Sequence, residues 1–305
     1  MYEKRFIFIP MGKIRLRVGQ EVVLFDPGVP LEGGAGKFSV AYLGTSLSTG
    51  GHVLVKRLLR AHGEEEASRY ERLSRLRHPA LQRMVGLAQA YGATYLVMAY
   101  REGTDLKAWL ARHGRVKDPA TAVRLAGELL EGLQLLHQQR FVHADIKPSN
   151  VLIYTGRDGR DHARLLDTAG ALWLDRPPRG RLPFAMLYAS PEQVLGMTPL
   201  IGPPADIYSL GVVMWELLTG ERPFHASHPS AVINLQLNQP LKEHRRIPGK
   251  LFPFIRKATS KKSFPKPPAY YRREEIVAML REGIAGRFPT ADEAAEALKD
   301  LKKER

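Results

Sequence analysis

Residues 143–152 combine acidic, basic and amide side chains in one short stretch, His-Ala-Asp-Ile-Lys-Pro-Ser-Asn-Val-Leu. Asp145 can accept a proton from a hydroxyl group, and Lys147 can neutralise the charge of a phosphoryl group during its transfer. Asn150 can coordinate a divalent metal ion through its amide oxygen. Phosphoryl transfer depends on positioning and charge stabilisation more than on covalent chemistry by the protein. The spacing of these three residues therefore predicts that reaction class.

This stretch resembles the catalytic loop of eukaryotic-type protein kinases, H-R-D-x-K-x-x-N, with Ala144 in place of the usual Arg. Two further motifs stand in the family's order. Val53-Leu-Val-Lys56 resembles the V-A-I-K strand, and Asp167-Thr-Ala-Gly170 stands where the family has D-F-G. The resemblance implies that Lys56 stabilises phosphate charge and that Asn150 and Asp167 bind Mg²⁺.

A glycine-rich stretch, Gly34-Ala-Gly36-Lys-Phe-Ser39, precedes the lysine strand. Glycines let backbone N–H groups approach a triphosphate closely. The stretch resembles the kinase loop G-x-G-x-x-G, with Ser39 in the third position. The resemblance implies ATP as the nucleotide, bound by Gly34, Gly36, Ser39, Ala41, Lys56, Met98, Tyr100 and Leu152.

Several positions depart from the family pattern. Leu54 stands where the family usually has Ala and would crowd the adenine pocket. Arg69 occupies the position of the Glu that clamps the strand lysine, and the sequence leaves open whether Glu65 or Glu66 replaces it. Thr168 replaces the Phe of D-F-G. These departures favour an alternative, a pseudokinase that binds nucleotide or partners without transferring phosphate.

Two further motifs are expected to be structural. Ala189-Ser-Pro-Glu192 resembles A-P-E, and the resemblance implies a buried ion pair between Glu192 and Arg287. Asp206-Ile-Tyr-Ser-Leu-Gly211 resembles the start of the central helix of the larger lobe, where Asp206 would hold the catalytic-loop backbone. The resemblance extends over residues 31–300.

The elements around these motifs change from strands to helices along the chain. Residues 1–30 alternate polar and apolar side chains with period two, which predicts extra strands at 6–9, 14–18 and 22–25. Asp118-Pro119 is a helix start signal, and the apolar spacing that follows predicts a core-facing helix up to about His137.

The predicted fold class is therefore α+β, a bilobal protein-kinase fold with a small β-rich N-lobe and a larger helical C-lobe. The predicted division is an N-terminal extension at 1–30, the N-lobe at 31–98 and the C-lobe at 99–305. The basic, proline-rich stretch at about 250–273 does not fit the family pattern. We expect it to be an insertion, either a surface loop or a segment that docks a partner.

Composition limits the function classes. The 305 residues carry a formal net charge of +15, contain no cysteine and include no apolar run long enough to span a membrane. We expect a cytoplasmic protein without a membrane segment. The positive residues are scattered, so nucleic acid is an unlikely partner, whereas the basic segments at 176–181 and 250–273 could dock an acidic protein.

The function predicted from the resemblance is that of a Ser/Thr protein kinase, which passes the γ-phosphoryl group of Mg-ATP to a protein hydroxyl. Ala144 removes the Arg that would bind a phosphorylated activation loop, and residues 168–189 contain only Thr168 and Tyr188 as hydroxyl-bearing residues. Control by activation-loop phosphorylation is therefore not expected. A small-molecule acceptor is a third interpretation, which the full helical region at 203–300 disfavours.

Overall fold

The structure is a computed structural model that describes residues 12–35, 39–59, 64–177 and 182–303. The chain forms two compact units: one ends at Glu102, the other begins at Gly103, and residues 78–81 group with the second. The predicted α+β class is confirmed, since the first unit is mainly sheet and the second mainly helix. Within the described ranges, no helix is long and apolar enough to cross a membrane.

The first unit is an antiparallel sheet with one helix. Its strand order is β1-β2-β3-β4-β6-β5. The bounds are β1 Ile14–Val18, β2 Glu21–Ala35, β3 Ser39–Ser46, β4 His52–Leu58, α1 Glu64–Ser74, β5 Met84–Ala90 and β6 Ala93–Ala99. The strands predicted at 14–18 and 22–25 are confirmed, and that predicted at 6–9 lies outside the described residues. Strand β2 continues past residue 30, so it crosses the predicted boundary between the N-terminal extension and the N-lobe. That boundary stays a prediction.

The two faces of this sheet differ in character. Val53 and Val55 of β4 point to one face and are buried in an apolar cluster with residues of β1, β2, β3, β5 and β6. Strands β1 and β5 approach each other closely across this cluster. A Cβ on Gly86 of β5, where φ is +157°, would lie 2.7 Å from Val18 Cγ1 of β1. Leu54 and Lys56 alternate with the valines and therefore lie on the opposite face.

The second unit contains most of the helices. Its strands are β7 Thr104–Asp105, β8 Phe141–Val142, β9 Val151–Thr155, β10 Asp161–Leu165 and β11 Leu172–Trp173. Its helices are α2 Leu106–His113, α3 Pro119–Gln138, α4 Pro191–Val194, α5 Pro203–Thr219, α6 Pro229–Asn238, α7 Phe252–Ala258, α8 Arg273–Ala285 and α9 Ala291–Lys303. The predicted start of α3 is confirmed, because Asp118 accepts hydrogen bonds from the backbone N–H groups of Ala120 and Thr121.

Helix α5 is the centre of this unit, and 14 of its residues from Ala205 to Thr219 are buried. A helix that is apolar on every side can be stable only when other elements surround it. Helix α7 packs so closely against it that a Cβ on Gly211 would lie 2.8 Å from Thr259 Cγ2. Helix α5 is therefore the rigid base from which side chains can hold the surrounding loops.

The expectation of a surface loop across 250–273 is wrong for its first half. Residues 252–258 form α7, in which Phe252, Phe254 and Ile255 are buried. The apolar side chains within this basic stretch pack into the core, and the charged ones between them face outward. The remainder, 259–272, is mostly loop and leads into α8.

Candidate active site

Three side chains of the predicted catalytic loop meet in the second unit. The loop runs from β8 through a 3-10 turn at Pro148–Asn150 into β9. Lys147 Nζ lies 2.7 Å from Asp145 Oδ2, and Asn150 Nδ2 donates to the same oxygen over 2.9 Å. Asn150 Nδ2 also donates to the Asp145 carbonyl at 2.8 Å. The carboxylate of Asp145 is thus fixed by a cation and an amide while remaining about one-third exposed.

Asp206 at the start of α5 holds the backbone of this loop. Its Oδ2 accepts from His143 N–H and its Oδ1 from Ala144 N–H, both at 2.8 Å. His137 Nε2 lies 2.8 Å from Oδ2 as well. Ala144 has a φ of +61°, a left-handed conformation that costs a non-glycine residue about 1–2 kcal/mol. The predicted role of Asp206 is confirmed, since its two oxygens hold this strained backbone in place.

Asp167 follows β10 at the same end of the β9–β10 hairpin as Asn150. The pairing of Leu165 with Val151 is extended by a backbone hydrogen bond from Leu166 N–H to the Asn150 carbonyl, 2.8 Å long. Asp167 adopts a left-handed conformation with φ +58° and is partly buried. A carboxylate and an amide oxygen are hard donors, the type that Mg²⁺ prefers, so this pair of residues fits that ion.

The predicted nucleotide residues of the first unit share one face of its sheet. Ala41 of β3 is the cross-strand partner of Lys56, and Met98 of β6 is the partner of Leu54. Directly paired residues of antiparallel strands project to the same face. Ala41, Leu54, Lys56 and Met98 therefore line the face opposite the apolar cluster, with Met98 fully buried.

The other predicted nucleotide residues have separate surroundings. Gly34 is partly buried, and a Cβ there would come within 2.9 Å of the Leu31 carbonyl, so the backbone needs glycine at this position. Ser39 begins β3, and Tyr100 just after β6 is 40% exposed. Leu152 of β9 is buried in the second unit. Gly36 lies outside the described residues.

Helix α1 presents Glu66, Tyr70 and Leu73 on one side, of which the last two are buried. Glu66 is half-buried and Glu65 is exposed. Arg69 lies on the same side as Glu66, with its guanidinium 4.7 Å from the centroid of the Tyr70 ring. Of the two candidates, Glu66 thus lies on the inner side of the helix, and its pairing with Lys56 stays a prediction.

The predicted ion pair between Glu192 and Arg287 is confirmed. Arg287 Nη1 and Nη2 donate to the two carboxylate oxygens of Glu192 over 2.6 and 3.1 Å, and both side chains are buried. Arg287 Nε also donates to the Ser260 carbonyl at 2.8 Å. A bidentate pair with such extra hydrogen bonds offsets much of the cost of burying two charges. It anchors α4, and with it the chain that precedes α4.

Two contacts near the site were not predicted. Tyr188 donates its hydroxyl to Glu216 Oε2 of α5 at 2.8 Å, and burial together with this carboxylate raises the pKa of Tyr188. Gln193 Nε2 donates to the Ala144 carbonyl at 2.7 Å. The pattern Ser190-Pro-Glu-Gln193 could have indicated the capping box that begins α4. The Tyr188–Glu216 and Gln193–Ala144 hydrogen bonds join residues far apart in the sequence, so no local pattern predicts them.

Comparison with known proteins identifies the class to which this fold and this constellation of residues correspond. A sequence profile described as "Protein kinase domain" matches residues 32–297. The chain therefore belongs to the protein kinase family, and the predicted resemblance and fold are confirmed.

Several of the relatives that the chain matches are described as serine/threonine-protein kinases. PkaB, a serine/threonine-protein kinase of Streptomyces coelicolor, is 34% identical over 194 residues, which are 61% of this chain and 45% of PkaB. PrkC of Bacillus subtilis is 30% identical over 262 residues, 81% of this chain and 39% of PrkC. PknB of Mycolicibacterium smegmatis is 29% identical over 248 residues, 75% of this chain and 38% of PknB. The chain spans less than half the length of each of these three relatives.

Proposed function

We propose that this chain transfers the γ-phosphoryl group of Mg-ATP to a serine or threonine hydroxyl of a protein. The observation that carries the proposal is the cluster in which Lys147 and Asn150 both contact the same carboxylate oxygen of Asp145. Asp206 holds the backbone of this cluster in a conformation that a free loop would avoid. Such preorganisation is characteristic of a reacting group.

In the proposed reaction the acceptor hydroxyl oxygen forms a bond to the γ-phosphorus, and the bond from that phosphorus to the bridging β,γ-oxygen breaks, releasing ADP. The hydroxyl proton passes to Asp145. Lys147, which contacts Asp145 in the absence of substrate, neutralises charge on the transferring group. Lys56 would act on the phosphates in the same way. Asn150 and Asp167 would hold Mg²⁺, which supplies charge neutralisation on the phosphate oxygens.

The nucleotide would be bound by the face of the first unit's sheet that carries Lys56, with Gly34 and Ser39 near its phosphates. Leu152, which belongs to the second unit, stays a predicted nucleotide residue. Ala41 directly opposite Lys56 leaves room beside the lysine, whereas Leu54 and Met98 fill the neighbouring positions on that face. Backbone groups near Tyr100 would bind the adenine edge. We expect the Leu54 side chain to narrow the space for the base.

Phosphorylation of the segment after Asp167 is not required in this proposal. The two hydroxyl-bearing residues of 168–189 are poorly available to another kinase, since Thr168 is buried and Tyr188 is bonded to Glu216. Ala144, in place of the Arg that would bind such a phosphate, is consistent with this. Treatment with a phosphatase should therefore leave transfer activity unchanged, and a loss of activity would contradict phosphorylation-independent control.

The test of the proposed function is transfer of labelled γ-phosphate from Mg-ATP to the chain itself and to a panel of protein acceptors. We expect label with the wild type and a loss of at least about 100-fold with Asp145→Asn, the range typical of a removed general base. The matched control is Asp175→Asn, which removes the charge of an exposed carboxylate that forms an ion pair with Arg140. Equal labelling by wild type and Asp145→Asn would refute the proposed role of Asp145.

A pseudokinase is the second candidate, and the position of Arg69 favours it. This arginine lies on the inner side of α1 beside Glu66, where it can compete with Lys56 for that carboxylate. A nucleotide-binding measurement by thermal shift separates the candidates. Binding of Mg-ATP with no transfer to any acceptor would support the pseudokinase, and Arg69→Leu restoring transfer would identify the arginine as the cause.

A further inference from the structure

The loop that follows α7 caps the C-terminal end of α6. Lys261 Nζ donates to the Gln236 carbonyl, Ser263 Oγ to the Asn238 carbonyl over 3.0 Å, and Phe264 N–H to Asn238 Oδ1 over 2.6 Å. The last carbonyls of a helix have no partner within the helix and carry partial negative charge. The Lys261 ammonium and the Ser263 hydroxyl supply hydrogen-bond donors to these carbonyls, and the ammonium also offsets their partial negative charge.

Lys261 reaches this position through apolar surroundings. Its ammonium lies 4.7 Å from the centroid of the Phe224 ring and 5.9 Å from that of Tyr208 on α5. Desolvation by burial, aided by the nearby Arg287 guanidinium, lowers the pKa of Lys261 to about 7. The buried carboxylate of Glu192 on α4 is already paired with Arg287.

Other charged groups of this loop pair with α8: Lys262 contacts Glu282 over 2.7 Å and Arg272 contacts Glu275 over 3.5 Å, all with exposed side chains. Tyr208 remains protonated, because burial raises its pKa. Lys261 therefore titrates near neutral pH, at a position where its charge is used to cap a helix.

The residue whose carbonyl Lys261 caps also contacts the chain before α4. Gln236 is fully buried, and its Nε2 donates to the Ala189 carbonyl. Ala189 closes a turn in which the N–H groups of Tyr188 and Ala189 both donate to the Ala185 carbonyl, at 2.9 and 3.0 Å. Lys261, Gln236 and Ala189 thus form one continuous series of hydrogen bonds.

Apolar packing follows the same course. Phe264, Ile276 and Leu280 come from the loop and α8, and they form one buried cluster with Ala189, Val194 and Leu237. Phe184 packs against the edge of this cluster. Gly283 permits the approach of α8, because a Cβ there would lie 2.8 Å from the Lys262 backbone nitrogen. The 261–280 segment therefore supports residues 184–189 through polar contacts by way of Gln236 and through direct apolar packing.

We propose that the 261–280 segment holds residues 184–189 in the conformation that positions the protein acceptor, with Lys261 and Gln236 as positioning residues. The consequence for the acceptor rests on the proposed function, since residues 184–189 lie in the sequence between Asp167, the proposed metal ligand, and Glu192, which anchors α4. The contacts that hold residues 184–189 belong to the folded chain itself and require no phosphate on those residues. Lys261 acts through Gln236 and does not touch the reacting atoms.

The first test measures hydrogen exchange of the Tyr188 and Ala189 amides in the full chain. Lys261→Met keeps the apolar stem and removes the cation, and Gln236→Met removes the donor to Ala189. We expect each to raise exchange about fivefold, the factor for one hydrogen bond. Lys262→Met, the control at the adjacent exposed lysine, should leave exchange unchanged. Unchanged exchange in both folded test variants would overturn the proposal, whether or not the chain transfers phosphate.

The second test measures steady-state kinetics with the best acceptor from the panel. Lys261→Met should raise KM for the acceptor about fivefold, with KM for ATP and kcat unchanged. In the wild type, KM for the acceptor should rise from about pH 6 to about pH 8.5 as Lys261 loses its charge and its bond to Gln236 weakens. Lys262→Met should follow the wild type, and Lys261→Met should lack this dependence.

The outcomes of the two tests are distinguishable. A wild type that transfers no phosphate, with exchange raised in the variants, would refute the proposed function and the acceptor consequence but support the structural connection. An equal fall in kcat in Lys261→Met and Gln236→Met with KM unchanged would show general damage to the fold and overturn the positioning role.

Discussion

The catalytic loop and residues 184–189 are both attached to α5, but in different ways. At the start of the helix, Asp206 holds the catalytic loop through two backbone N–H groups. About three turns later, Glu216 accepts a hydrogen bond from the Tyr188 hydroxyl. The catalytic-loop backbone is also held by single hydrogen bonds from Asn150 and from Gln193 of α4. Residues 184–189 depend in addition on α6 and on apolar packing with the 261–280 segment.

Under the proposed function, this difference separates the residues that react from those that position the acceptor. A reacting carboxylate must be fixed to within a fraction of an ångström, and short charged hydrogen bonds achieve this with a few residues. A surface that positions a protein acceptor is larger, so broad packing supports it. Changes to the first region should therefore affect kcat, and changes to the second should affect stability and the affinity for the acceptor.

The largest expected effect is that of Glu192→Gln. It leaves the Arg287 guanidinium buried without its counter-charge, and we expect the free energy of unfolding to fall by about 3–5 kcal/mol in urea denaturation. Glu282→Gln, which breaks the exposed pair with Lys262, should cost less than about 1 kcal/mol. Similar losses in the two variants would show that anchoring of α4 does not depend on the buried pair.

Asp206→Asn tests the other region. The amide offers one oxygen where the carboxylate has two, so one backbone N–H of the catalytic loop is left without an acceptor. We expect a loss of about 1–3 kcal/mol in the free energy of unfolding and a fall in kcat with little change in KM for the acceptor. Asp175→Asn is the exposed control, and a selective rise in KM for the acceptor would contradict the separation of the two regions.

Lys261 should make stability depend on pH. Its pKa in the folded state is about 7, below the 10.5 of the free side chain, so between these values the unfolded chain binds the extra proton. The penalty of burying the charge is fully present below pH 7 and is relieved as pH rises. The wild type should gain up to about 1.4 kcal/mol per pH unit above pH 7 relative to Lys261→Met. If the free energy of unfolding changed with pH in the same way in the wild type and in Lys261→Met, Lys261 would not titrate in this range.

The smallest effect is expected for Ala144→Gly. Glycine adopts the left-handed conformation freely, but it also increases the entropy of the unfolded chain by about 0.4–1 kcal/mol. We expect a net change in stability within about 1 kcal/mol, with transfer retained. Ala111→Gly in the exposed part of α2 should instead destabilise by about 1 kcal/mol. A larger loss at Ala144 than at Ala111 would show that its methyl group is required.

Local signals predicted much of what the structure contains. Asp145, Lys147 and Asn150 lie within six residues of one another, so their meeting follows from one turn of chain. The start of α3 at Asp118-Pro119 was predictable because capping is a local interaction. The segment at 250–273 was misjudged because its charges and prolines indicate a surface. The burial of Phe252 and Ile255 depends on α5, which the local sequence does not show.

The sequence by itself determined the family and predicted the reacting groups, because motif spacing and chemical type are properties of the chain. It also determined the ion pair of Glu192 with Arg287, though only through the resemblance. The tertiary structure alone decided that Gln236 contacts Ala189, that Lys261 caps α6 and that Gln193 contacts Ala144. These contacts join residues 25 to 49 positions apart, and such pairs meet only when the packing of whole helices brings them together.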